Sequence, residues 1–120
     1  MKFIVNDREP VYIQIIRNIK QKVVTGELKA GEMLPSRREM AVKINVNPNT
    51  VQKAYKEMEE MGLINTVKNN QSTITEDEDF IKKIRQDLIN EATEIFIEQM
   101  KAINVPKDEI ENIINEKYDM

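Results

Sequence analysis

The fold is decided between residues 34 and 63, where the chain reads Leu34-Pro35-Ser36-Arg37-Arg38-Glu39-Met40-Ala41, then Val46-Asn47-Pro48-Asn49-Thr50-Val51-Gln52-Lys53-Ala54-Tyr55, and then Glu60-Met61-Gly62-Leu63. These three runs predict two short helices followed by a strand. Only Asn45 and Val46 separate the apolar Ile44 from the start of the second helix. Two short helices joined by so tight a turn must cross at a steep angle, which is the geometry of a helix-turn-helix.

The start of each helix carries its own capping signal. Ser36 can accept the free amide of Glu39 while the Glu39 side chain reaches back, which is the reciprocal capping box. Asn47 is a good N-cap, and Pro48 at the first helical position sacrifices no hydrogen bond. The sequence therefore fixes where both helices begin.

The second helix has one apolar face and one polar face. Apolar residues recur at helical spacing and predict the buried stripe: Val51, Ala54, Tyr55 and Met58. The outer face carries hydrogen-bonding and basic side chains and no carboxylate before Glu57: Asn49, Thr50, Gln52, Lys53 and Lys56. Such a face suits a DNA groove lined by phosphates and base edges. The plainer alternative is an ordinary solvated helix face.

These motifs together resemble the DNA-binding domain of GntR-family bacterial repressors. The shared pattern is Leu-Pro-Ser-x-Arg-x-x-Ala, then Val-Asn-Pro-Asn-Thr-Val-x-x-Ala-Tyr, then Glu-x-x-Gly-Leu-Ile. The segments beginning at Pro10 and Thr25 also resemble the family's first helix and the loop after it, so the similarity covers roughly residues 9–75. The resemblance implies a winged helix-turn-helix that binds double-stranded DNA.

The resemblance also implies a set of DNA-contacting residues. Arg38 aligns with the family's DNA-contacting arginine, whereas Arg37 stands where the family often has a glutamate. Gln52 stands where many members place an arginine, and glutamine pairs with adenine, so an A·T base pair is expected under it. The full predicted set is Arg37, Arg38, Asn47, Pro48, Asn49, Thr50, Gln52, Lys53, Lys68 and Asn69.

The segments on either side of the helix-turn-helix complete the predicted domain. A first helix is expected from about Pro10 to Val24, ended by Gly26. After Gly62, two short strands are expected at about Leu63–Val67 and Ser72–Thr75, forming the wing. At the wing tip Lys68 carries the only formal charge, and its flanking residues can hydrogen-bond DNA: Asn69, Asn70 and Gln71. The family's wings usually carry glycines here, and asparagine tolerates the same left-handed conformations.

Composition narrows the function from another direction. The chain has 120 residues, of which 40% are hydrophobic, and it has no cysteine and no histidine. Disulfides, thiolate nucleophiles, Cys/His zinc sites and histidine bases are therefore excluded, and no catalytic, cofactor or metal site is predicted. No apolar run approaches the roughly 20 residues of a membrane span, and the N-terminus lacks the apolar stretch of a signal peptide. A cytoplasmic protein that does not bind membranes is expected.

The charge is divided unequally along the chain. The formal net charge is −3. Residues 1–75 hold twelve Lys/Arg and eight Asp/Glu, a net of +4, whereas residues 76–120 hold six and thirteen, a net of −7. A basic front part can bind DNA while an acidic tail stays away from the duplex, or the tail acids can serve solubility alone.

The tail predicts two amphipathic helices with more apolar surface than they can bury. A long helix begins after the acidic run at Glu76–Asp79, and Asn104, Val105 and Pro106 separate it from a last helix at about Lys107–Tyr118. With no third helix in the tail, these faces should pair with a second copy. The expected dimer contacts are Ile84, Leu88, Ala92, Ile95, Phe96, Ile103, Ile110, Ile113 and Ile114. The alternative is that the long helix folds back on the winged domain.

The shortness of the tail resembles the YtrA-type branch of the family. The overall expectation is a mainly α-helical fold with a small β-wing (α+β), in which a winged helix-turn-helix occupies residues 1–75 and a helical dimerisation tail occupies residues 76–120. That branch implies dimeric repression at an inverted-repeat operator, often of an ABC-transporter operon. A small-molecule effector, which the sequence does not identify, would have room only in the tail or at its junction with the winged domain. The competing hypothesis is a winged-helix protein-interaction module without specific DNA binding.

Overall fold

The computed structural model describes residues 3–67 and 71–120. In this part of the chain the helices are α1 (Val11–Thr25), α2 (Arg37–Ile44), α3 (Pro48–Met61), α4 (Glu78–Ala102) and α5 (Lys107–Lys117), and the strands are β1 (Ile64–Val67) and β2 (Gln71–Ile74). The mainly helical fold with a small two-stranded sheet is confirmed. Each predicted element begins and ends within a residue or two of its expected bounds.

The core lies where α3 packs against both α1 and α2. The predicted stripe of α3 is fully buried, and α1 contributes the apolar face that its spacing indicates. The core side chains of these two helices are Ile15, Ile16, Ile19, Val23, Val51, Ala54, Tyr55 and Met58. Leu63, Ile64 and Ile74 extend the same cluster into the sheet. Burial of α3 on one face leaves its other face outward.

The wing is a hairpin to which a third segment is added. β1 and β2 are antiparallel, with Ile64 opposite Ile74 and Val67 opposite Gln71. The loop before α2 runs along the other edge of β2: Leu34 N donates to Ser72 O at 2.8 Å, and Ile74 N donates to Glu32 O at 2.9 Å. The sequence predicted only an extended loop at this position. The bridge between Met33 and Thr73 thus ties the wing to the segment that leads into α2.

Gly31 makes the approach of this loop possible. It adopts φ of 79°, and its amide donates to Ile74 O at 2.9 Å. A Cβ at this position would lie 2.7 Å from Glu76 Oε1. Glycine is therefore favoured here by the positive φ, since the nearby Glu76 oxygen is the end of a flexible side chain that can move aside.

The segment before α1 is held by a buried glutamine. Gln14 Nε2 donates to Asn6 O at 2.7 Å and to Glu9 O at 2.8 Å, and its Oε1 accepts from Asn6 N at 3.0 Å. Arg17 forms an ion pair with Glu9 beside it. Because Gln14 satisfies three backbone groups, residues 6–9 are held beside the first turn of α1. The apolar pattern of the sequence did not predict this contact.

The chain forms two compact units, Met1–Arg85 and Gln86–Met120. α4 begins inside the first unit, where Phe80 and Ile81 pack against the core and Ile84 is 4% exposed. Ile84 was expected at a dimer contact, but its side chain is already buried within one chain. Helical spacing marks a residue as apolar without saying which partner covers it. The functional division at residue 75 stays a prediction.

The second unit contains the rest of α4 and all of α5. Asn104 takes a positive φ of 58° in the turn between them, and Val105 N donates to Met100 O at 3.0 Å. Between the helices lies a mainly apolar groove of about 590 Å³, lined by Ala92, Thr93, Phe96, Ile97, Lys101, Val105, Lys107, Ile110, Glu111 and Ile114. None of the helices in the described residues has the length and apolarity that a membrane crossing needs.

Candidate nucleic-acid interface

The N-terminus of α2 is fixed by the predicted capping box. Glu39 N donates to Ser36 Oγ at 3.1 Å, and Ser36 N donates to Glu39 Oε1 at 3.1 Å. The backbone N–H of Ser36 lowers the pKa of the Glu39 carboxyl from 4.5, because the bond favours the charged form. This cap sets the positions of Arg37 and Arg38, which open the helix.

The N-terminus of α3 is fixed by Asn47. Its Oδ1 accepts from Asn49 N at 2.7 Å, and Pro48 occupies the first helical position. α3 then presents its outer face to solvent: Asn47, Pro48, Asn49, Gln52, Lys53 and Lys56 are exposed, and Thr50 is half-buried. The predicted separation into a buried stripe and a polar, partly basic face is present in the fold.

Side chains from three elements meet in one cleft beside α3. Arg38 from α2, Gln52 from α3 and Gln71 from β2 line a cleft of about 630 Å³, together with Met33, Leu34, Ser36, Arg37 and Glu39. Gln71 lies far from Arg38 and Gln52 in sequence, yet the hairpin brings it to the same surface. Gln71 was expected only as a flanking residue of the wing. A guanidinium and two amides offer donors for phosphates and base edges.

Arg37 lies differently from its neighbour. It forms an ion pair with Glu59 of α3, and its side chain is 22% exposed. Its guanidinium also lies over the Tyr55 ring, 5.2 Å from the centroid. The expectation that both arginines contact DNA treated them alike, whereas the fold directs Arg37 to α3 and leaves Arg38 exposed. Family resemblance could not show this pair, because glutamate often replaces Arg37 in the family.

Tyr55 holds the loop before α2 in place. Its hydroxyl donates to Pro35 O at 2.7 Å. Burial raises the pKa of the Tyr55 hydroxyl above its ordinary value, because the charged phenolate would be poorly solvated there. α3, which would be the recognition helix of a helix-turn-helix, is thereby tied to the residue that precedes the Ser36 cap.

Lys53 lies on the flank of α3 that faces α1. Its Nζ is 4.0 Å from the centroid of the Tyr12 ring, a geometry in which the ring face attracts a cation. The ring does not neutralise the ammonium, so Lys53 keeps its attraction for a phosphate. The predicted wing contacts Lys68 and Asn69 lie outside the described residues. Within the described part of the chain, no three or more Asp or Glu side chains lie together in a way that could hold a metal ion.

The fold and this surface define the class of the protein. It is a winged helix-turn-helix, formed by α2 and α3, in which α3 presents a polar, partly basic face. Residues 11–74 match the family described as bacterial regulatory proteins, gntR family. The HTH-type transcriptional regulator YhcF of Bacillus subtilis is 38% identical over 102 residues, which cover 85% of this chain and 84% of that protein. The HTH-type transcriptional repressor YtrA of Bacillus subtilis is 48% identical over 67 residues, which cover 56% and 52%.

A solved structure shows the same fold along nearly the whole chain. A GntR family transcriptional regulator from Listeria monocytogenes is 38% identical, has a TM-score of 0.87, and is matched over 93% of this chain and 98% of that one. The chain therefore belongs to the GntR family and is a transcriptional regulator with a DNA-binding helix-turn-helix. Similarity to YtrA confirms the predicted YtrA-type branch. These relatives are transcriptional regulators and not enzymes.

Proposed function

We propose that this regulator is a dimeric repressor that binds an inverted-repeat operator through α3 and the cleft beside it. The observation that carries the proposal is the convergence of Arg38, Gln52 and Gln71 on one surface, next to the exposed face of α3. In a major groove, Asn49 and Gln52 would read base edges, while Arg38 and Lys53 would contact phosphates or guanine. Thr50, in the first turn of α3, is expected to contact base edges as well.

Repression is proposed by similarity. YtrA of Bacillus subtilis is described as a repressor and is 48% identical over 67 residues of this chain. Those residues amount to 56% of this chain and 52% of YtrA, so the similarity does not extend over the whole of either protein. An operator overlapping a promoter would give repression by exclusion of the polymerase. For the YtrA-type branch, an ABC-transporter operon is the expected target.

The dimer is supported by apolar surface that the tail leaves uncovered. Ile95 is 50% exposed, Ile103 68% and Ile114 45%. The other expected dimer residues of the second unit are half-buried or small: Leu88, Phe96, Ile110 and Ile113 are half-buried, and Ala92 is exposed. Large apolar side chains that are exposed in number favour an association site, because a soluble chain gains by covering them. A two-fold dimer then predicts an inverted repeat with half-sites about one helical turn apart.

The test is selection of binding sites from random duplex DNA at about 0.15 M salt, where nonspecific contacts are already weakened. The native protein is compared with an Arg38→Ala, Gln52→Ala variant. A matched control, Arg8→Ala with Gln21→Ala, removes the same side chains from exposed positions outside the cleft. We expect the native protein and the control to enrich an inverted repeat and the cleft variant to enrich none.

Two other results would redirect the proposal. Enrichment of one unrepeated half-site would leave DNA recognition intact and remove the dimeric arrangement. If the native protein enriched no site, a winged-helix module that binds another protein would become the better account. Effector control stays a prediction, and calorimetry with a metabolite library would check it.

A further inference from the structure

One carboxylate oxygen joins three elements next to the cleft. Glu59 Oε1 on α3 accepts from Arg37 Nη2 on α2, and the same atom accepts from Thr66 Oγ1 on β1. Thr66 Oγ1 also lies 3.2 Å from Ser72 Oγ on β2. The contacts therefore run from the first helix of the helix-turn-helix, through the recognition helix, to both strands of the wing.

Much of this network is shielded from solvent. The side chains of Arg37 and Glu59 are 22% and 32% exposed, so most of each is shielded from water. The Tyr55 ring lies under the Arg37 guanidinium, and Ser72 is buried. An ion pair that is partly shielded and shares a hydrogen-bonded acceptor restricts its partners more than an exposed surface pair does.

We propose that Glu59 is a positioning residue that sets the wing against the recognition helix, so that both can engage DNA together. Arg37 acts through Glu59, because its guanidinium is paired with that carboxylate. The inference rests on the proposed function, because it concerns how the same DNA-binding surface is held. Glu59 itself is assigned no contact with DNA.

For removal of Glu59, the proposal predicts a change in DNA affinity that is opposite in sign to the change expected from charge alone. Removing a carboxylate beside a DNA-binding surface, and freeing an arginine from its partner, should by electrostatics alone tighten binding to the polyanion. If Glu59 positions the wing, removing it should weaken binding, because wing contacts with the phosphates are lost. The direction of the change therefore separates the two explanations.

The first comparison uses Glu59→Ala on the selected operator. We expect binding about tenfold weaker, and a smaller salt dependence by about one unit of slope for each lost phosphate contact. Glu60→Ala is the matched control, because Glu60 is an exposed glutamate next in sequence on α3. It should bind as tightly as the native protein or more tightly. Equal or tighter binding by Glu59→Ala would overturn the proposal.

A conservative variant separates position from charge. In Glu59→Gln an amide oxygen remains to accept from both Arg37 and Thr66, although the negative charge is gone. We expect this variant to bind much closer to the native protein than Glu59→Ala does. Equally weak binding by both variants would show that the link to Arg37 depends on the ionic form of the Glu59 side chain, whereas binding by Glu59→Gln tighter than that of the native protein would overturn the proposal.

A double-mutant cycle tests whether Thr66 acts through Glu59 or touches DNA directly. Thr66→Val removes the hydroxyl and keeps a β-branched residue in the strand. If Thr66 acts through Glu59, the Glu59→Ala, Thr66→Val pair should bind no more weakly than the weaker single variant. If Thr66 contacts DNA directly, the two losses should multiply, which would overturn the link. Thr73→Val in the same hairpin controls for the substitution itself.

Stability is measured in parallel by urea unfolding, and affinities are compared at a temperature where each variant is folded. Should Glu59→Ala be unfolded there, Thr66→Val alone carries the comparison, because it removes the hydrogen bond between the wing and Glu59 and leaves the Arg37 pair in place. Binding as tight as that of the native protein would then overturn the proposal. Failure of the native protein to enrich any operator would remove the proposed function and this inference with it. A native operator bound equally well by Glu59→Ala would remove the inference alone.

Discussion

Gln52 is the residue from which the base preference of this regulator can be predicted. It is exposed on α3 and lines the cleft with Arg38. Replacing it with arginine should change the preferred base pair beneath it from A·T to G·C, because arginine reads guanine bidentately where glutamine reads adenine. The expected discrimination is about 1–3 kcal/mol. Binding-site selection with the native protein and Gln52→Arg measures it.

A charge-matched control makes the result specific. Gln21→Arg adds the same positive charge at an exposed position on α1, so it should strengthen binding to all sequences without changing the consensus. A G·C pair already fixed under Gln52 in the native consensus would contradict the assigned role of this side chain.

Gln14 is a second residue whose role follows from its contacts. Truncation to alanine leaves the backbone groups of Asn6 and Glu9 without the side chain that now satisfies them. Because the site is partly buried, Gln14→Ala should lower the free energy of unfolding by about 1–3 kcal/mol. Urea denaturation checks this, with Gln21→Ala on the same helix expected to change it by less than about 0.5 kcal/mol. Equal effects from both variants would remove the special role of Gln14.

At the level of the helix, the cap of α2 should make stability depend on pH in a defined direction. The pKa of Glu39 is lowered in the folded state, so its charge stabilises the fold above the unfolded-state pKa, near 4.5. This contribution is lost as the pH falls through the lowered folded value. Glu39→Gln can still cap neutrally but has no charge to lose. Its deficit in unfolding free energy should therefore be present at neutral pH and absent in strong acid.

Urea titrations of the native protein and Glu39→Gln over that range provide the measurement. A deficit that stayed constant from neutral pH to strong acid would show that the carboxylate charge contributes nothing to the cap. In that case the difference would reflect packing or helix propensity at position 39.

The helix boundaries were predictable because each cap is an interaction between residues that are close together in sequence. Ser36 with Glu39, and Asn47 with Pro48, act within one turn, and Gly62 ends α3 with φ of 87°. A capping partner that lies only three residues away can be identified from the sequence alone. The residues at the helix ends were therefore sufficient to predict where α2 and α3 begin and where α3 ends.

The contacts between elements were not predictable in the same way. The pairing of Met33 with Thr73 and of Arg37 with Glu59 depends on how the helices cross, which no local pattern encodes. The fate of Ile84 illustrates the same limit, since an apolar stripe can be covered by its own domain or by a second chain. The candidate DNA-binding positions were predicted from motifs, whereas the pairing of Arg37 with Glu59 needed the fold.

At the level of the whole molecule, the proposed dimer can be broken without touching the DNA-binding surface. Ile103→Glu with Ile114→Glu places charge on residues that are 68% and 45% exposed in the tail. We expect the variant to sediment as a monomer and to lose its preference for inverted repeats over single half-sites. Val42→Glu is the matched control, because Val42 is 77% exposed but belongs to α2. A double variant that still sediments as a dimer would place the interface elsewhere.

The pairing of the loop before α2 with the wing has a consequence for how the protein opens. The bond from Gly31 N to Ile74 O closes residues 31–74 into a loop that contains α2, α3 and the hairpin. β2 cannot separate from the loop before α2 without breaking this bond together with the bonds from Leu34 N to Ser72 O and from Ile74 N to Glu32 O. The amides of Gly31, Leu34 and Ile74 should therefore exchange with solvent deuterium only through a common, cooperative opening. DNA bound across this loop would slow the exchange of all three amides together.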